Sequence, residues 1–582
     1  MRSRLEMLPD EMLLEICRYL HSGDVLYSFF GLNSRFNQMT TFYWQHVSLH
    51  RMYYLKFLHI FTQILPQISS AIRSLVIFEI ESPLFFQSFS KIHFYENLEK
   101  LTLVNWTDEK LFLFLGTLHN MRNFHRLIIQ ALDLTESMKN RCFLEKVLSA
   151  NENQLTHVMF DHESDAFCLT DKEKCNANVY PNILQLDIEL QTTKDLFQLY
   201  RMIPNVEKLH ITFKRPWSKV ICDQQQFFYL KELSVYAMSW FSTLEDLKTL
   251  LRISPVLENL SVVLVSHDYS LINGQCVSAL LPSTTKKFDY SICYQPSDLN
   301  ADLNCKTILQ TWKSIPIAYS ICENDKRIFL HTTNYQCNRL SLRSLFHKNM
   351  SVRKDSHVYN KVRHIHIYDT IALAEVFGIV QHCKFVLDLI ISMRTLPPRN
   401  QVPVETPKVF PHLNRLDFLS IQGNPSDTEY IEKILSVAPN LSAFSIDFDC
   451  LYKLLSNDDQ TLLLYYLLSR RIVILCIRFE NSLIDNLTTE HIHYIARIFS
   501  QVNHICFDLR NSKLSIQSRL ISSILNSFPK LIVLSLYGKL SDEINSNKNA
   551  LYEYLIEQST GRLKNRDQFQ IDYGNERVKV WM

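Results

Sequence analysis

The sequence predicts an α/β fold, in which a short three-helix module precedes a long, curved solenoid of strand–turn–helix units. Helical spacing and cap residues over Leu8–Met39 indicate the module. Beyond residue 43, an apolar triplet recurs at intervals of 23 to 31 residues, with one longer gap. We therefore divide the chain into a helical module (1–43), a first part of the solenoid (44–290), an interruption with a β-hairpin (291–361) and a second part with a C-terminal cap (362–582).

The module begins with a helix whose start is set by Pro9. Proline suits the first helical position because its missing N–H costs nothing there. One apolar stripe then follows at the spacing i, i+3, i+4, i+7, formed by Leu13, Ile16, Cys17 and Leu20. Asp24 is a favourable N-cap for a second helix, and Asn33 or Ser34 for a third. Fewer than forty residues cannot bury all of these apolar side chains, so we expect surplus apolar surface.

The same N-terminal residues carry a family resemblance. They form an ordered set: Leu8-Pro9, Glu11, Met12, Leu13, Ile16, Leu20, Asp24 and Leu32-Asn33-Ser34-Arg35-Phe36. The set resembles an F-box, the segment by which substrate receptors dock onto the Skp-type adaptor of a cullin-based ubiquitin ligase. The resemblance implies contact with such an adaptor through Leu8, Pro9, Met12, Leu13, Ile16, Leu20, Leu26 and Phe30. The alternative is an ordinary capped helical hairpin that packs on the rest of the protein.

The repeat is an apolar triplet of the form Φ-x-x-Φ-x-Φ. It begins at residues 44, 72, 98, 124, 155, 183, 206, 230, 257, 285, 362, 386, 413, 441, 472, 502 and 531. An apolar chain produces such triplets by chance, but prolines two residues ahead of them are far more frequent than chance allows. They are Pro181, Pro204, Pro255, Pro411, Pro439 and Pro529. A proline at that position ends the preceding helix and leads into an extended segment.

Helical stretches lie between the triplets, for example Leu244–Ile253, Glu429–Ala438 and Glu490–Phe499. A strand, a turn and a helix in each unit resemble the long, helix-bearing form of the leucine-rich repeat, with divergent turns. The resemblance implies a curved α/β solenoid. The alternative is a chance rhythm in a two-layer α/β domain.

Two segments depart from the repeat. Within the interruption, Ile315–Ile321 and Arg327–Thr333 predict a β-hairpin around the turn Glu323-Asn324-Asp325, and Trp312/Ile315/Ile317 is a possible further triplet. Such an insertion is as compatible with an inert surface as with a ligand contact. At the other end, alternating apolar residues predict that Gln568–Met582 forms two extended segments that cap the helix Leu551–Gln558, the alternative being a frayed tail.

The residues between the apolar positions of each strand face the opposite side of the sheet and form the candidate substrate-binding face. They are Lys100, Arg126, Asp187, Glu189, Lys208, His210, Glu232, Tyr236, His364, His366, Tyr368, Arg415, Asp417, Arg478 and Asp508. Their charges are mixed in sign and change from strand to strand. This pattern suits a specific protein surface better than a phosphate backbone, but a merely solvated sheet would show it too.

Composition argues against several partners. The net charge of +2 over 582 residues predicts no affinity for nucleic acid or anionic membranes. The N-terminus shows no apolar core of a secretory signal, and charged residues interrupt the two most apolar stretches, around 376–392 and 461–479. Fourteen scattered cysteines without a C-x-x-C pair indicate reduced thiols rather than disulfides or a zinc site. We therefore expect a protein of the cytoplasm, the nucleus or both.

Enzyme motifs are absent from the sequence. The nine glycines form neither a P-loop nor G-x-G-x-x-G, and neither H-E-x-x-H nor G-x-S-x-G occurs. His364-x-His366 and Glu490-His491-x-His493 are the only clusters of ligand-type side chains, and a solvated strand or helix explains both, so no metal or cofactor is assigned.

Taken together, these patterns predict a non-catalytic adaptor that docks on a Skp-type protein and holds an unidentified protein substrate. A protein-interaction scaffold without a ligase role is the alternative. A hydrolase with an unrecognised site is the weaker third option.

Overall fold

The computed structural model describes most of the chain. The described residues are 7–49, 52–78, 95–132, 134, 141–161, 164–170, 178–214, 227–241, 243–297, 304–313, 315–321, 327–332, 339–343, 359, 361–370, 374–380, 383, 385–393, 413–423, 429–456, 462–479, 487–546, 548–559, 563–564, 566–574 and 576–582. They form two compact units, one up to residue 313 and one from residue 315 onward. The fold is mixed α/β, with open, mostly parallel sheets.

The N-terminal module consists of the three predicted helices: α1 (Asp10–Arg18), α2 (Ser22–Phe29) and α3 (Ser34–Gln45). Pro9 occupies the N-cap of α1 rather than the first helical position, and α2 begins two residues before the predicted cap at Asp24. Asn33 caps α3 as predicted, because its Oδ1 accepts a hydrogen bond of 3.0 Å from the backbone N–H of Phe36. The module core comprises Leu13, Cys17, Val25, Phe29 and Phe36.

In the first unit, ten parallel strands lie side by side in chain order. They are β1 (His46–Ser48), β2 (Ser74–Phe78), β3 (Lys100–Val104), β4 (Arg126–Gln130), β5 (His157–Phe160), β6 (Gln185–Leu190), β7 (Lys208–Phe213), β8 (Glu232–Phe241), β9 (Asn259–Ser266) and β10 (Lys287–Tyr294). The connecting helices are α4 (Tyr54–His59), α5 (Leu65–Ile68), α6 (Asp108–Leu115), α7 (Arg141–Leu148), α8 (Thr193–Met202), α9 (Leu244–Arg252), α10 (Gly274–Ser278) and α11 (Cys305–Thr311). Each repeat therefore contributes one strand, which pairs with the strand of the previous repeat at the edge of the sheet.

The second unit contains the strands β11 (Ile317–Ile321) and β12 (Ile328–Thr332) and, after them, a sheet of ten strands. The strands of this second sheet are β13 (Arg339–Arg343), β14 (His364–Thr370), β15 (Asp388–Met393), β16 (Phe418–Gln422), β17 (Ala443–Asp447), β18 (Ile474–Arg478), β19 (His504–Asp508), β20 (Val533–Tyr537), β21 (Gln570–Gly574) and β22 (Arg577–Trp581). The helices of the second unit are α12 (Ala374–Val380), α13 (Glu429–Val437), α14 (Phe448–Ser456), α15 (Leu462–Arg471), α16 (Thr489–Ile498), α17 (Ser518–Ser527), α18 (Asp542–Ser546) and α19 (Lys548–Gln558). Strands β13 to β20 are parallel and follow chain order.

The triplet positions form the core. Leu101, Leu209 and Leu534 are buried at register-equivalent positions, whereas Lys100, Lys208 and Ser535 retain exposure. The predicted strand register is therefore confirmed for these three strands, and the alternation follows from the two-residue period of a strand.

The predicted register is wrong at β16. Because Leu389 of β15 pairs with Leu419, the buried triplet is Leu416/Leu419/Ile421 and not the triplet beginning at Leu413. The sequence from Leu413 onward contains both triplets in overlap, and only the pairing with β15 distinguishes them. Pro411, which suggested the earlier register, lies outside the described residues.

The interruption is shorter than predicted. Strand β13 joins the second sheet, with Leu340 opposite Ile365 of β14, so that sheet begins ahead of the predicted boundary at residue 362. The predicted hairpin is confirmed as β11 and β12, which pair antiparallel, while its turn lies outside the described residues. Trp312 does not open a further parallel repeat, because it follows α11 and its Nε1 donates to the Ile272 carbonyl at 2.8 Å.

The predicted C-terminal cap is confirmed. Strands β21 and β22 form an antiparallel hairpin, and β22 adds antiparallel to β20 at the edge of the second sheet. The hairpin contacts α19 through the Tyr552 hydroxyl, which accepts a hydrogen bond of 2.9 Å from the backbone N–H of Ile571. Trp581 and Met582 are buried, so these residues belong to the packed structure.

Candidate functional site

The outer surface of α1 carries an exposed apolar stripe. Met12 and Ile16 lie four residues apart and are therefore on one side of the helix, and Leu20 follows two residues after the end of α1. Their relative exposures are 54%, 39% and 37%. Leu8 is partly buried against the module core, and Pro9 is exposed beside the stripe. These five residues, all predicted as adaptor contacts, each keep part of their surface exposed.

Two predicted adaptor contacts are wrong. Leu13 and Leu26 are completely buried in the chain, so they support the helices from inside and offer no surface to a partner. Phe30 is only partly exposed and packs edge-on against Trp44, with ring centroids 5.7 Å apart. Tyr19 and Leu32, both exposed, were not predicted to extend the surface. Their positions in the sequence do not distinguish them from the residues on the solvent-exposed side of the module.

The position of α1 is fixed by a side chain of α3. Arg35 donates from Nε to Oδ1 of Asp10 at 2.7 Å, and from Nη2 to the carbonyl of Leu8 at 2.5 Å. Charge-assisted bonds of this kind are stronger than neutral ones. The start of α1 is thereby tied to α3, and the stripe is presented on a fixed scaffold.

The module is joined to the first sheet through α2 and not through the stripe. A Cβ atom at Gly23 would lie 2.7 Å from Sδ of Met52 and 2.8 Å from the carbonyl oxygen of Ser48, so only glycine permits this close approach. The backbone N–H of Ser48 donates to Oγ of Ser22 at 2.8 Å, and Lys56 pairs with Asp24.

On the strand face of the first unit, His210 lies between two carboxylates. Its Nδ1 is 3.3 Å from Oδ1 of Asp187 and its Nε2 is 3.4 Å from Oε1 of Glu232. Burial opposes protonation of the ring, but the neighbouring carboxylates of Asp187 and Glu232 raise the pKa of His210 above its ordinary value. Lys208 adds a further contact, with its Nζ 3.7 Å from Oε2 of Glu232. Four predicted residues therefore form one charge cluster.

The remaining predicted residues of this face differ in exposure. Glu189 is buried, which corrects its assignment to an open surface, and burial raises its pKa to about 7 although Lys214, 3.7 Å away, partly offsets this. Lys100 and Arg126 are neighbours across β3 and β4, and burial together with the Arg126 charge lowers the pKa of Lys100. Tyr236 is partly exposed.

In the second unit, Arg478 is committed to internal bonds. Its Nε donates to Oδ1 of Asp447 at 2.9 Å, and its Nη1 donates to the hydroxyls of Ser420 and Ser445 at 3.0 Å each. Its Nη2 donates to the carbonyl of Ile421 at 2.7 Å. Arg478 therefore ties three neighbouring strands together and is a positioning residue rather than a free binding group.

Asp508 and the two histidines are also paired. Asp508 accepts two hydrogen bonds from the Arg510 guanidinium and one from the Arg510 backbone N–H, and although burial opposes its ionisation, these bonds hold its pKa below the ordinary value. His364 Nδ1 lies 2.5 Å from Oδ2 of Asp388. His366 Nε2 lies 2.9 Å from Oγ of Ser392, and burial lowers its pKa. The Tyr368 side chain lies outside the described residues.

Arg415 and Asp417 are not on this face, because they precede β16. Both are exposed, and the Arg415 guanidinium lies 4.6 Å from the ring centroid of Phe385. Their earlier assignment followed from the wrong register.

Metal ligation and membrane insertion find no support in the described part of the chain. No group of three or more His, Cys, Asp or Glu side chains is arranged to hold a metal ion among the described residues, which includes His364, His366 and the His491 cluster. None of the described helices is both long enough and apolar enough to cross a bilayer.

No protein-family model matches the sequence, and no curated protein is detectably similar to it. Function therefore has to be inferred from the residues and geometry of this chain.

Proposed function

We propose that this protein is the non-catalytic substrate-recognition subunit of a cullin-based ubiquitin ligase. In this proposal the N-terminal module is an F-box that docks on a Skp-type adaptor, and the leucine-rich-repeat-like solenoid holds a protein substrate. The observation that carries it is the exposed stripe of Met12 and Ile16 on α1, with Leu20 just beyond the end of that helix. Helix α1 takes little part in joining the module to the first sheet.

The stripe suits a protein partner for a physical reason. Apolar side chains in contiguous exposure cost free energy in water, and a partner that covers them recovers that cost. Because Arg35 holds the start of α1, the helix loses little conformational freedom on binding. A rigid apolar helix surface is one of the recurring ways in which proteins recognise one another.

The strand faces suit a substrate that is itself a folded or extended protein. The His210 cluster of the first unit combines two carboxylates with a histidine and a lysine, so its surface alternates in sign over neighbouring strands. Alternating charge selects a partner by complementarity. A phosphate backbone would instead favour an uninterrupted basic surface.

The test is binding of the full-length chain to a purified Skp-type adaptor. Replacing Ile16 and Leu20 together by alanine should weaken binding by about 2 kcal/mol, or roughly 30-fold in Kd, which is the scale of interface anchors. Leu113→Ala is the matched control, because Leu113 is an exposed apolar residue on α6, away from the stripe. It should leave adaptor binding unchanged.

Two results would contradict the proposal. One is a wild-type chain that does not bind the adaptor, which would leave the protein-interaction scaffold as the function. The other is equal loss of binding in the double variant and in Leu113→Ala, because binding would then not depend on the stripe.

A further inference from the structure

Three basic side chains lie in one row across neighbouring strands of the first unit. Lys100 of β3 is the register partner of Arg126 of β4, which in turn is the register partner of His157 of β5. All three side chains are partly exposed on the polar side of the sheet. Because neighbouring strands are about 4.8 Å apart, the three residues span about 10 Å. We call these three residues the basic row.

The basic row differs from the same level of the sheet further along. Lys208 of β7 has a carboxylate as its register partner, Glu232 of β8, and their charged atoms lie 3.7 Å apart. Lys100 and Arg126 have each other as register partners instead, and in the part of the chain that the structure describes neither forms an ion pair with a carboxylate. Positive charge is therefore concentrated on β3 to β5 without an internal counter-charge.

The basic groups of the row disfavour one another. Burial lowers the pKa of Lys100, and the charge of Arg126 lowers it further. Burial also lowers the pKa of His157, and neighbouring basic groups, chiefly Arg126, add to this effect although Asp187 opposes it. A bound anion would relieve the repulsion, because an opposite charge nearby favours the protonated form of each group.

Three carboxylates around the basic row are engaged elsewhere. Glu99, which precedes β3, lies 3.7 Å from a guanidinium nitrogen of Arg73. Asp161, which follows β5, accepts hydrogen bonds of 2.9 and 3.1 Å from two backbone N–H groups of the neighbouring turns. Asp187 of β6 contacts His210. The counter-charge for the basic row therefore has to come from a partner.

The limits of the basic row favour one kind of anion. Strand β6, next to β5, carries Asp187 and Glu189, and β2, on the opposite side, places the neutral Ser74 beside Lys100. A nucleic acid repeats its charge at every phosphate and would meet Asp187 with a like charge. An acidic peptide segment can place a few carboxylates on the row and other residues beyond it. In an extended peptide, side chains at positions i and i+2 lie about 6.7 Å apart on one side, so two such carboxylates fit within the row.

We propose that the basic row binds an acidic segment of the protein substrate, with Asp or Glu carboxylates of that segment paired with Lys100 and Arg126 beside the ring of His157. The inference rests on the proposed function, because it takes the strand face as the substrate surface, and it adds the chemistry of the substrate. It does not involve the adaptor surface on α1.

The experiment measures binding of the full-length chain to hexaglutamate labelled with fluorescein, by fluorescence anisotropy at low ionic strength, where charge pairs are least screened. Lys100→Gln and Arg126→Gln should each raise Kd about fivefold and the double variant about 25-fold, the scale of two independent, partly exposed charge pairs. Lys286→Gln is the matched control, because it removes the same charge from an exposed lysine that precedes β10 and pairs with Glu258. It should bind as the wild type does, and labelled hexaglutamine should not bind.

A second measurement uses the wild-type chain and does not depend on the folding of a variant. Hexaglutamate should protect Lys100 from acetylation by N-hydroxysuccinimidyl acetate, as measured by peptide mass spectrometry, and should leave Lys286 reactive.

The proposal would be overturned by a wild-type chain that does not bind hexaglutamate, by equal losses in the double variant and in Lys286→Gln, or by an unprotected Lys100. Tighter binding of oligothymidylate than of hexaglutamate would also overturn it, because the row would then recognise phosphate. Adaptor binding is measured separately. A chain that binds hexaglutamate through the basic row but not the adaptor would contradict the ligase role and support this inference.

Discussion

Loss of the Arg478 side chain should destabilise the second unit strongly. In Arg478→Leu, the carboxylate of Asp447 loses its ion pair, and the oxygens of Ser420, Ser445 and Ile421 lose a donor. The side chains of Arg478 and Asp447 are only 13% and 10% exposed, so water cannot replace these bonds fully. Breaking a buried pair by removing one partner costs about 3–5 kcal/mol.

The expected cost lies near the lower end of that range. Asp447 still accepts a hydrogen bond from the backbone N–H of Gly423, which keeps the carboxylate partly satisfied. We therefore expect the free energy of unfolding to fall by about 3 kcal/mol in Arg478→Leu. Arg478→Lys should lower the free energy of unfolding by less, because lysine keeps the charge but cannot reach all four acceptors with its single amino group.

The assay is equilibrium unfolding in urea, which leaves ion pairs unscreened, with circular dichroism as the signal. Arg510→Ala is the matched control. It also breaks an arginine–aspartate pair on this sheet, but Arg510 is 56% exposed, so the cost should stay below about 1 kcal/mol. If Arg478→Leu and Arg510→Ala cost the same, burial of the Arg478 pair does not determine its contribution and the reasoning is refuted.

Three further predictions concern the core, the pH dependence and the C-terminal cap. Leu209→Ala should lower the free energy of unfolding by about 2–5 kcal/mol through lost contacts and a cavity, whereas Lys208→Ala should change it by less than about 1 kcal/mol. Equal effects of the two substitutions in urea unfolding would contradict the register of β7. Burial of His331 lowers its pKa to about 4, so folding favours the neutral ring. The contribution of His331 to the free energy of unfolding is therefore fully present above the unfolded pKa of about 6.5, and it falls by about 3 kcal/mol as the pH drops toward 4. The unfolding midpoint of His331→Gln should therefore depend less steeply on pH over that interval than that of the wild type, and equal slopes would disprove this role. Deleting Tyr573–Met582 should lower both solubility and the thermal midpoint, because it removes β22 and leaves the edge of β20 unpaired; a truncated chain of equal stability in scanning calorimetry and light scattering would show that the hairpin is not a cap.

Most of the fold could be predicted because the repeat imposes the same apolar spacing many times. The register failed at β16 because Leu416 belongs to two overlapping triplets, and the local sequence satisfies both. Only the pairing of Leu419 with Leu389 separates them. Strand β13 was missed for a related reason: its apolar residues are flanked by Arg339 and Arg343, and a short charged strand resembles a loop until its partner is known.

The candidate site was harder to predict than the fold. Helix α1 has two neighbouring apolar stripes, one with Leu13 and one with Met12 and Ile16, and their spacing is the same. Which stripe faces inward depends on α2 and α3, so the sequence assigned both to the interface. The prediction for Glu189 was wrong for a different reason. The alternation of side chains along β6 predicts an exposed position for Glu189, but its side chain is buried.

The contacts that α1 and α2 make within the N-terminal module would fix the position of a partner bound at α1 relative to the first sheet. Helix α2 packs so closely on β1 that Gly23 admits no side chain, and the bond from Ser48 to Ser22 closes the same contact. Helix α1 is fixed to α3 through Arg35 and has its outer stripe exposed. Because both joints are rigid, a protein covering Met12 would keep one orientation toward the strands of the first unit. A receptor that must present a substrate at a defined position requires this geometry, whereas a flexible tether would not provide it.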